Sequence, residues 1–275
     1  MKYQLIIIIV LLANTQIFAG NENYPAGARS SSLATASVSF TDVWSSFNNQ
    51  AGLAWITVPT VGLHYENKFL VKEYAFQAGT FAVPLKPGTG SLNYRYFGYS
   101  KYHETKIGLA FARKLHKSIA VGVQLNYHQT YLAESFGNYN SLSVEIGLMY
   151  SPSENLFIGA HVFNPNRAKS NAISEEYIPT IYRVGAGYNL LKKATLLFET
   201  EKNLEQTQVF KGGLEVNAIK NLDFRIGFGS SYIEYTFGLG YHSKKFSFDL
   251  AFSHHYILGF TPHASFSMNI GKKHD

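Results

Sequence analysis

From about residue 60 onward, apolar and polar residues alternate with a period of two. In Phe246-Ser247-Phe248-Asp249-Leu250-Ala251-Phe252-Ser253 one face reads Phe, Phe, Leu, Phe and the other Ser, Asp, Ala, Ser. Residues 119–127 set Ile, Val, Val, Leu and Tyr against Ala, Gly, Gln and Asn, and residues 142–150 and 233–241 repeat the scheme. Successive side chains of a strand point to opposite faces, so each stretch reads as a strand with one greasy and one wet side. A soluble sandwich also buries apolar faces. Its strands, however, commonly run to roughly five or six residues, whereas a tilted membrane strand needs about nine to eleven. The length of these runs favours a wall that faces lipid.

Fourteen such stretches can be placed between residues 60 and 271. An even count suits a barrel whose two ends both return to the periplasmic side. Connections after even-numbered strands are tight and mostly basic, such as "KPGT" at 86–89, "HK" at 116–117 and "SKK" at 243–245. Those after odd-numbered strands are mostly longer, up to residues 165–178, with a very short exception at Ser230 and Ser231. The pattern predicts an all-β protein, a fourteen-stranded antiparallel transmembrane β-barrel over residues 59–275, with tight turns in the periplasm and longer loops outside.

The chain starts differently. Lys2, the apolar run of residues 5–13 and a small residue at Ala19 have the form of an export signal, residues 1–19. The run is too short for a permanent membrane helix. Residues 20–58 are neither leader nor strand. In "DVWSSFNNQAGLAW", Asp42 can cap a helix whose apolar positions are Val43, Trp44 and Phe47, with Gly52 near its end. A short helical hatch entering the barrel from the periplasmic side is the reading. The inward glycines of "AVGVQL", "EIGLMY", "RVGAGY" and "RIGFGS" bear on it, because glycine weakens a strand and marks the close approach of another backbone. Small residues also simply fit a crowded interior, and both readings stand.

Composition narrows the chemistry. The 19 Tyr, 21 Phe and 23 Gly beside 8 Pro fit aromatic-rimmed strands, and the absence of Cys removes disulfide, thiolate and lipid-anchored possibilities. The net charge of +6 is not gathered into Lys/Arg runs interleaved with aromatics, so nucleic acid is not expected as a partner. The ten His are scattered without a repeated two-ligand spacing, and neither a metal nor another cofactor is expected. Ser253 and His255 share one face about 7 Å apart by strand geometry, yet no nucleophile signature surrounds them, and no enzyme is expected. Alternation turns Arg95, Glu145, Arg183, Glu215, Arg225 and Asp249 toward the lumen. An isolated buried charge costs several kcal/mol, so a mixed set implies mutual pairing that holds the hatch, with a solute path as the other reading.

Residues 27–54, "GARSSSLATASVSFTDVWSSFNNQAGLA", resemble the N-terminal signature of FadL-like outer-membrane barrels, and more closely their PorV/PorQ branch. The matching positions are Gly27, Ala28 and Arg29, then Asp42, then Asn49, Ala51, Gly52 and Leu53, while Gln50 stands where the family usually has Pro. The resemblance implies a hatch within or beneath the lumen, carried by Asp42, Trp44, Phe47, Asn49, Gln50 and Gly52. It also implies residence among the outer-membrane lipids of a Gram-negative bacterium. The implied task is that of a type IX secretion component, partnered by secretion-machine subunits or secreted cargo. The alternative is a channel for a hydrophobic solute.

Overall fold

The computed structural model describes residues 23–133, 137–170, 177–190, 193–231 and 234–271. The expected leader, residues 1–19, lies outside the described residues. Among them fourteen strands follow in order: β1 Thr60–Asn67, β2 Ala75–Leu85, β3 Gly88–Tyr99, β4 Tyr102–His116, β5 Ile119–Leu132, β6 Gly137–Ser153 and β7 Leu156–Phe163. The second half comprises β8 Ile181–Leu190, β9 Ala194–Asn203, β10 Val209–Ile219, β11 Leu222–Gly229, β12 Glu234–His242, β13 Phe246–His255 and β14 Gly259–Asn269. Each pairs antiparallel with the next, and β1 pairs with β14, so the sheet closes into a barrel.

Alternation decides which face is which. On the outside, Leu63, Leu109, Phe198 and Phe237 are 60%, 61%, 58% and 50% exposed. On the inside, Gln124, Asn126, His128 and Glu145 are buried. An apolar surface this extensive, running round the whole wall, is untenable in water and is what a lipid-facing wall requires. No helix among the described residues is long and apolar enough to cross a membrane. The strands cross it.

The two ends of the barrel differ. Connections after even-numbered strands are short, and Asn221 takes a left-handed φ of 68° in the turn between β10 and β11, a conformation Asn tolerates. Register shifts at Lys114/His116, Tyr150/Ser153 and Asn217/Ile219 all lie at this tight-turn end, where bulges re-aim a strand at a rim. Connections after odd-numbered strands are mostly longer; the one expected to be very short, at Ser230 and Ser231, spans residues 230–233, whereas only residues 256–258 join β13 to β14. Between β3 and β4 only Ser100 and Lys101 intervene. Gly98, at φ 111°, lies there against the Tyr102 carbonyl, where a Cβ would not fit.

Residues 26–55 run inside the barrel rather than forming the single helix expected from Asp42. One α-helical turn spans Ala28–Ser31, a second Ser45–Asn48, and a 3-10 helix Gln50–Trp55. Asn49 is extended (φ −167°, ψ 105°) and separates the last two, its side chain accepting from the Ala51 N–H. Asp42 does not cap a helix; its Oδ1 accepts from the Trp44 N–H in a local turn. Short polar side chains that bond nearby backbone compete with helical continuation, and this stretch contains five of them between Asp42 and Asn49. The direction of travel also differs from the expected entry at the tight-turn end. Tyr24 packs against Phe76 and Phe97 at the loop end, whereas Trp55 packs against Phe157 and Lys114 at the tight-turn end. The segment spans the lumen from one end to the other.

Candidate functional site: the N-terminal segment in the lumen

Side chains of the wall hold the segment at three polar anchors. The first is Glu145 on β6, which accepts from Gln50 Nε2 at 2.7 Å, Lys106 Nζ at 2.9 Å and Asn126 Nδ2 at 2.9 Å, with His161 Nε2 at 3.0 Å. Gln50, where the resembled signature has Pro, therefore supplies a side-chain donor that Pro lacks. The second anchor joins Arg183 and Glu199. Arg183 donates to Glu199 at 2.7 Å and to the carbonyls of Asn48 and Thr35 at 3.0 Å each, while Glu199 Oε2 accepts the N–H groups of Ser37 and Val38 at 2.8 Å. Thr35 takes a left-handed φ of 60°, rare for a β-branched residue, and the Arg183 bond helps to fix it.

The third anchor is ionic. Arg29 donates twice to Glu215, at 2.8 Å each, and at 3.1 Å to Asp42. Its guanidinium lies over the Phe40 ring at 4.1 Å. Arg225 pairs with Glu215 and, at 2.7 Å, with Asp249. Burial alone lowers the Arg29 pKa, but Glu215 and then Asp42 more than reverse it, so the guanidinium stays charged. Burial raises the Asp42 carboxyl above its ordinary range, against the opposing pull of Arg29 and the Trp44 N–H. The five lumen residues Glu145, Arg183, Glu215, Arg225 and Asp249 thus converge on the anchors. Arg95 does not; it is fully buried, 3.7 Å from Glu104, and 5.2 Å from the Tyr24 ring.

Between the anchors the contact is apolar or very close. Trp44 and Phe47 are buried with Leu53, Phe76 and Ala78 in one cluster against β2 to β4. Asn49 donates to the carbonyls of Val38 and Leu148 at 2.7 and 3.2 Å. Of the two readings of the inward glycines, close approach holds at the segment. A Cβ on Gly122 would overlap the Gln50 and Ala51 backbone, and one on Gly147 would overlap Asn49 Oδ1. Gly229 is different, since a Cβ there would make only ordinary contacts. Within the segment, Gly52 lets the 3-10 helix pass the Phe40 carbonyl.

A second constellation was not read from the sequence. His64 and Glu66 lie on the inward face of β1, and closure of the barrel places His263 of β14 opposite Glu66. The spacing His64-x-Glu66 was visible; its third member stands almost two hundred residues away and is brought in only by the pairing of the first strand with the last. His255 does not join it, being paired with Gly259 instead. Ser253 meets His263, at 3.0 Å, rather than His255.

No family model and no curated sequence matches the chain. Solved structures match its fold: that of FadL-type hydrocarbon channels. The CymD monoaromatic hydrocarbon channel superposes with a TM-score of 0.70 at 11% identity, over 90% of this chain and 98% of that one. The Ralstonia pickettii toluene transporter TbuX gives 0.71 at 11%, over 89% and 98%. A Pseudomonas aeruginosa FadL homologue gives 0.65 at 11%, over 92% and 100%.

Proposed function

We propose that the protein is an outer-membrane channel for hydrophobic small molecules, with residues 26–55 as the hatch that closes it. The observation that carries this reading is the way the lumen is obstructed. The obstruction is a segment of the chain's own, held by side-chain hydrogen bonds, ion pairs and three apolar clusters, with no strand pairing to the wall among the described residues. Such contacts can be exchanged without breaking the barrel.

The cluster around Trp44 supplies a route for a greasy solute. Most of the inner wall is polar, but Trp44, Phe47, Phe76 and Ala78 form an apolar patch behind β1 and β2. On the outer face of the same strands lies a groove of about 380 Å³ lined by Leu63, Tyr65, Gly79, Tyr94, Phe248 and Phe266. Only the small residues Gly62, Ala78 and Gly79 stand between the two, but the β1–β2 ladder is continuous from Thr60↔Ala82 to Asn67↔Ala75, so a wall route requires that pairing to open locally. FadL-type neighbours described as hydrocarbon channels support the solute class. The PorV/PorQ reading rests on the motif of residues 27–54 alone, whose Arg29, Asp42 and Asn49 are engaged in holding the segment.

The test is uptake of a labelled alkylbenzene and of a labelled sugar of similar size by cells expressing the protein. Faster entry of the alkylbenzene alone is expected, and reversal by Ala78→Phe supports the wall route. Equal rates with and without the protein reject the channel. Recovery of secretion-machine subunits with the purified barrel, with no change in uptake, favours the PorV/PorQ role instead.

A further inference from the structure

The trio at the barrel seam has the donors, the geometry and the unmet bonding of a metal site. His64 Nε2 stands 3.7 Å and His263 Nδ1 3.3 Å from Glu66 Oε2, and the three side chains are 0%, 6% and 9% exposed in the order His64, His263, Glu66. All three ligand atoms lie within 4.8 Å of one another. Among the described residues, neither His64 Nε2 nor His263 Nδ1 makes a hydrogen bond of good geometry, although both face the Glu66 carboxylate. Buried polar atoms are almost always paired, so the two nitrogens that face the Glu66 carboxylate, His64 Nε2 and His263 Nδ1, call for a common explanation.

We propose that His64, Glu66 and His263 bind one divalent transition ion of the zinc class, tying β1 to β14. Bonds of about 2.0–2.1 Å in a tetrahedral shell place neighbouring ligand atoms about 3.3–3.4 Å apart, so the observed spacing requires little movement. Two imidazoles with one carboxylate select such an ion over calcium or magnesium, which prefer all-oxygen shells. The surroundings fit a held ligand set. With Nδ1 of His263 on the metal, Nε2 carries the proton and donates to Ser253 Oγ at 3.0 Å, the outer bond that orients a ligating imidazole. Trp44 and Phe76 meet the His64 ring edge-on, with centroids at 5.9 and 5.7 Å. Glu66 and His263 also border a cavity of about 190 Å³ shared with Lys68 and Glu234, which leaves a fourth coordination position for water or a solute.

Ser253, His263 and Glu66 also fall in the order of a serine–histidine–acid relay. Ser253, however, sits within a strand laddered on both sides, to Thr236 and Thr261, which commits the nearby backbone N–H groups that an oxyanion would need. The relay also leaves His64 Nε2, which faces Glu66, without a role.

The test uses the full-length barrel carrying a tag without histidine, stripped with chelator in detergent and titrated with Zn²⁺, Co²⁺ and Ca²⁺ by calorimetry and absorption. One Zn²⁺ per chain is expected, with visible Co²⁺ bands of low coordination number and no Ca²⁺ binding. Glu66→Gln and His263→Ala should each weaken Zn²⁺ by about 10- to 100-fold or more, while His128→Ala leaves it unchanged. Heat-modifiable migration reports that each variant is folded, and Glu66→Gln, the mildest change, serves if a histidine variant is not. A folded wild-type barrel that takes up no Zn²⁺, or Zn²⁺ binding indifferent to Glu66→Gln and His263→Ala, overturns the assignment.

Discussion

Glu145 shows what a single side chain does in this lumen. It and Lys106 are 0% exposed and 2.9 Å apart, and Glu145 also receives Gln50 from the hatch. Glu145→Gln keeps the shape but leaves the Lys106 ammonium buried without its counter-charge. Breaking such a pair costs about 3–5 kcal/mol, whereas removing both charges together is often nearly neutral. Urea unfolding of the barrel in detergent should therefore show a large loss for Glu145→Gln and recovery of most of it when Lys106→Met is added. A single variant as stable as the parent would mean that Lys106 is not held by this carboxylate.

At the scale of elements, the proposed hatch touches the wall without strand pairing, which predicts that the two are separable. Deleting residues 27–54 should leave a folded barrel, because each strand keeps its ladder, and should raise conductance in planar bilayers. Gly122→Ala is a milder version, since its Cβ takes the place of the Gln50 and Ala51 backbone while the strand itself gains slightly from losing glycine. Conductance equal to the parent in both variants would argue that the segment is no gate. The strands were legible in the sequence because lipid on one side and a polar lumen on the other impose a period of two on every one of them. The hatch was legible only in outline. Its helix breaks at Asn49 because that side chain reaches Val38 and Leu148, partners no local pattern reveals. The trio of His64, Glu66 and His263 was hidden for the same reason at longer range, as it exists only once the ring is closed.

For the whole molecule, the asymmetry between the two ends predicts its orientation. With tight turns inside and longer loops outside, a cysteine at Ser170 should react with an impermeant label on intact cells and one at Lys244 only after lysis. The opposite result would invert the barrel. That orientation gives the course of the hatch a further meaning. Tyr24 lies against Phe76 and Phe97 at the loop end, with Lys68 Nζ 3.5 Å from its ring centre, while β1 starts at the opposite end. In that orientation Tyr24 stands on the outer side although the first strand starts on the inner side. An epitope fused directly ahead of Asn23 should be bound by antibody on whole cells, and an epitope detected only after permeabilisation would show that the thread stops short. If the epitope is reached on whole cells, the segment ahead of the first strand has itself been drawn through the barrel, and any solute must travel a passage already threaded.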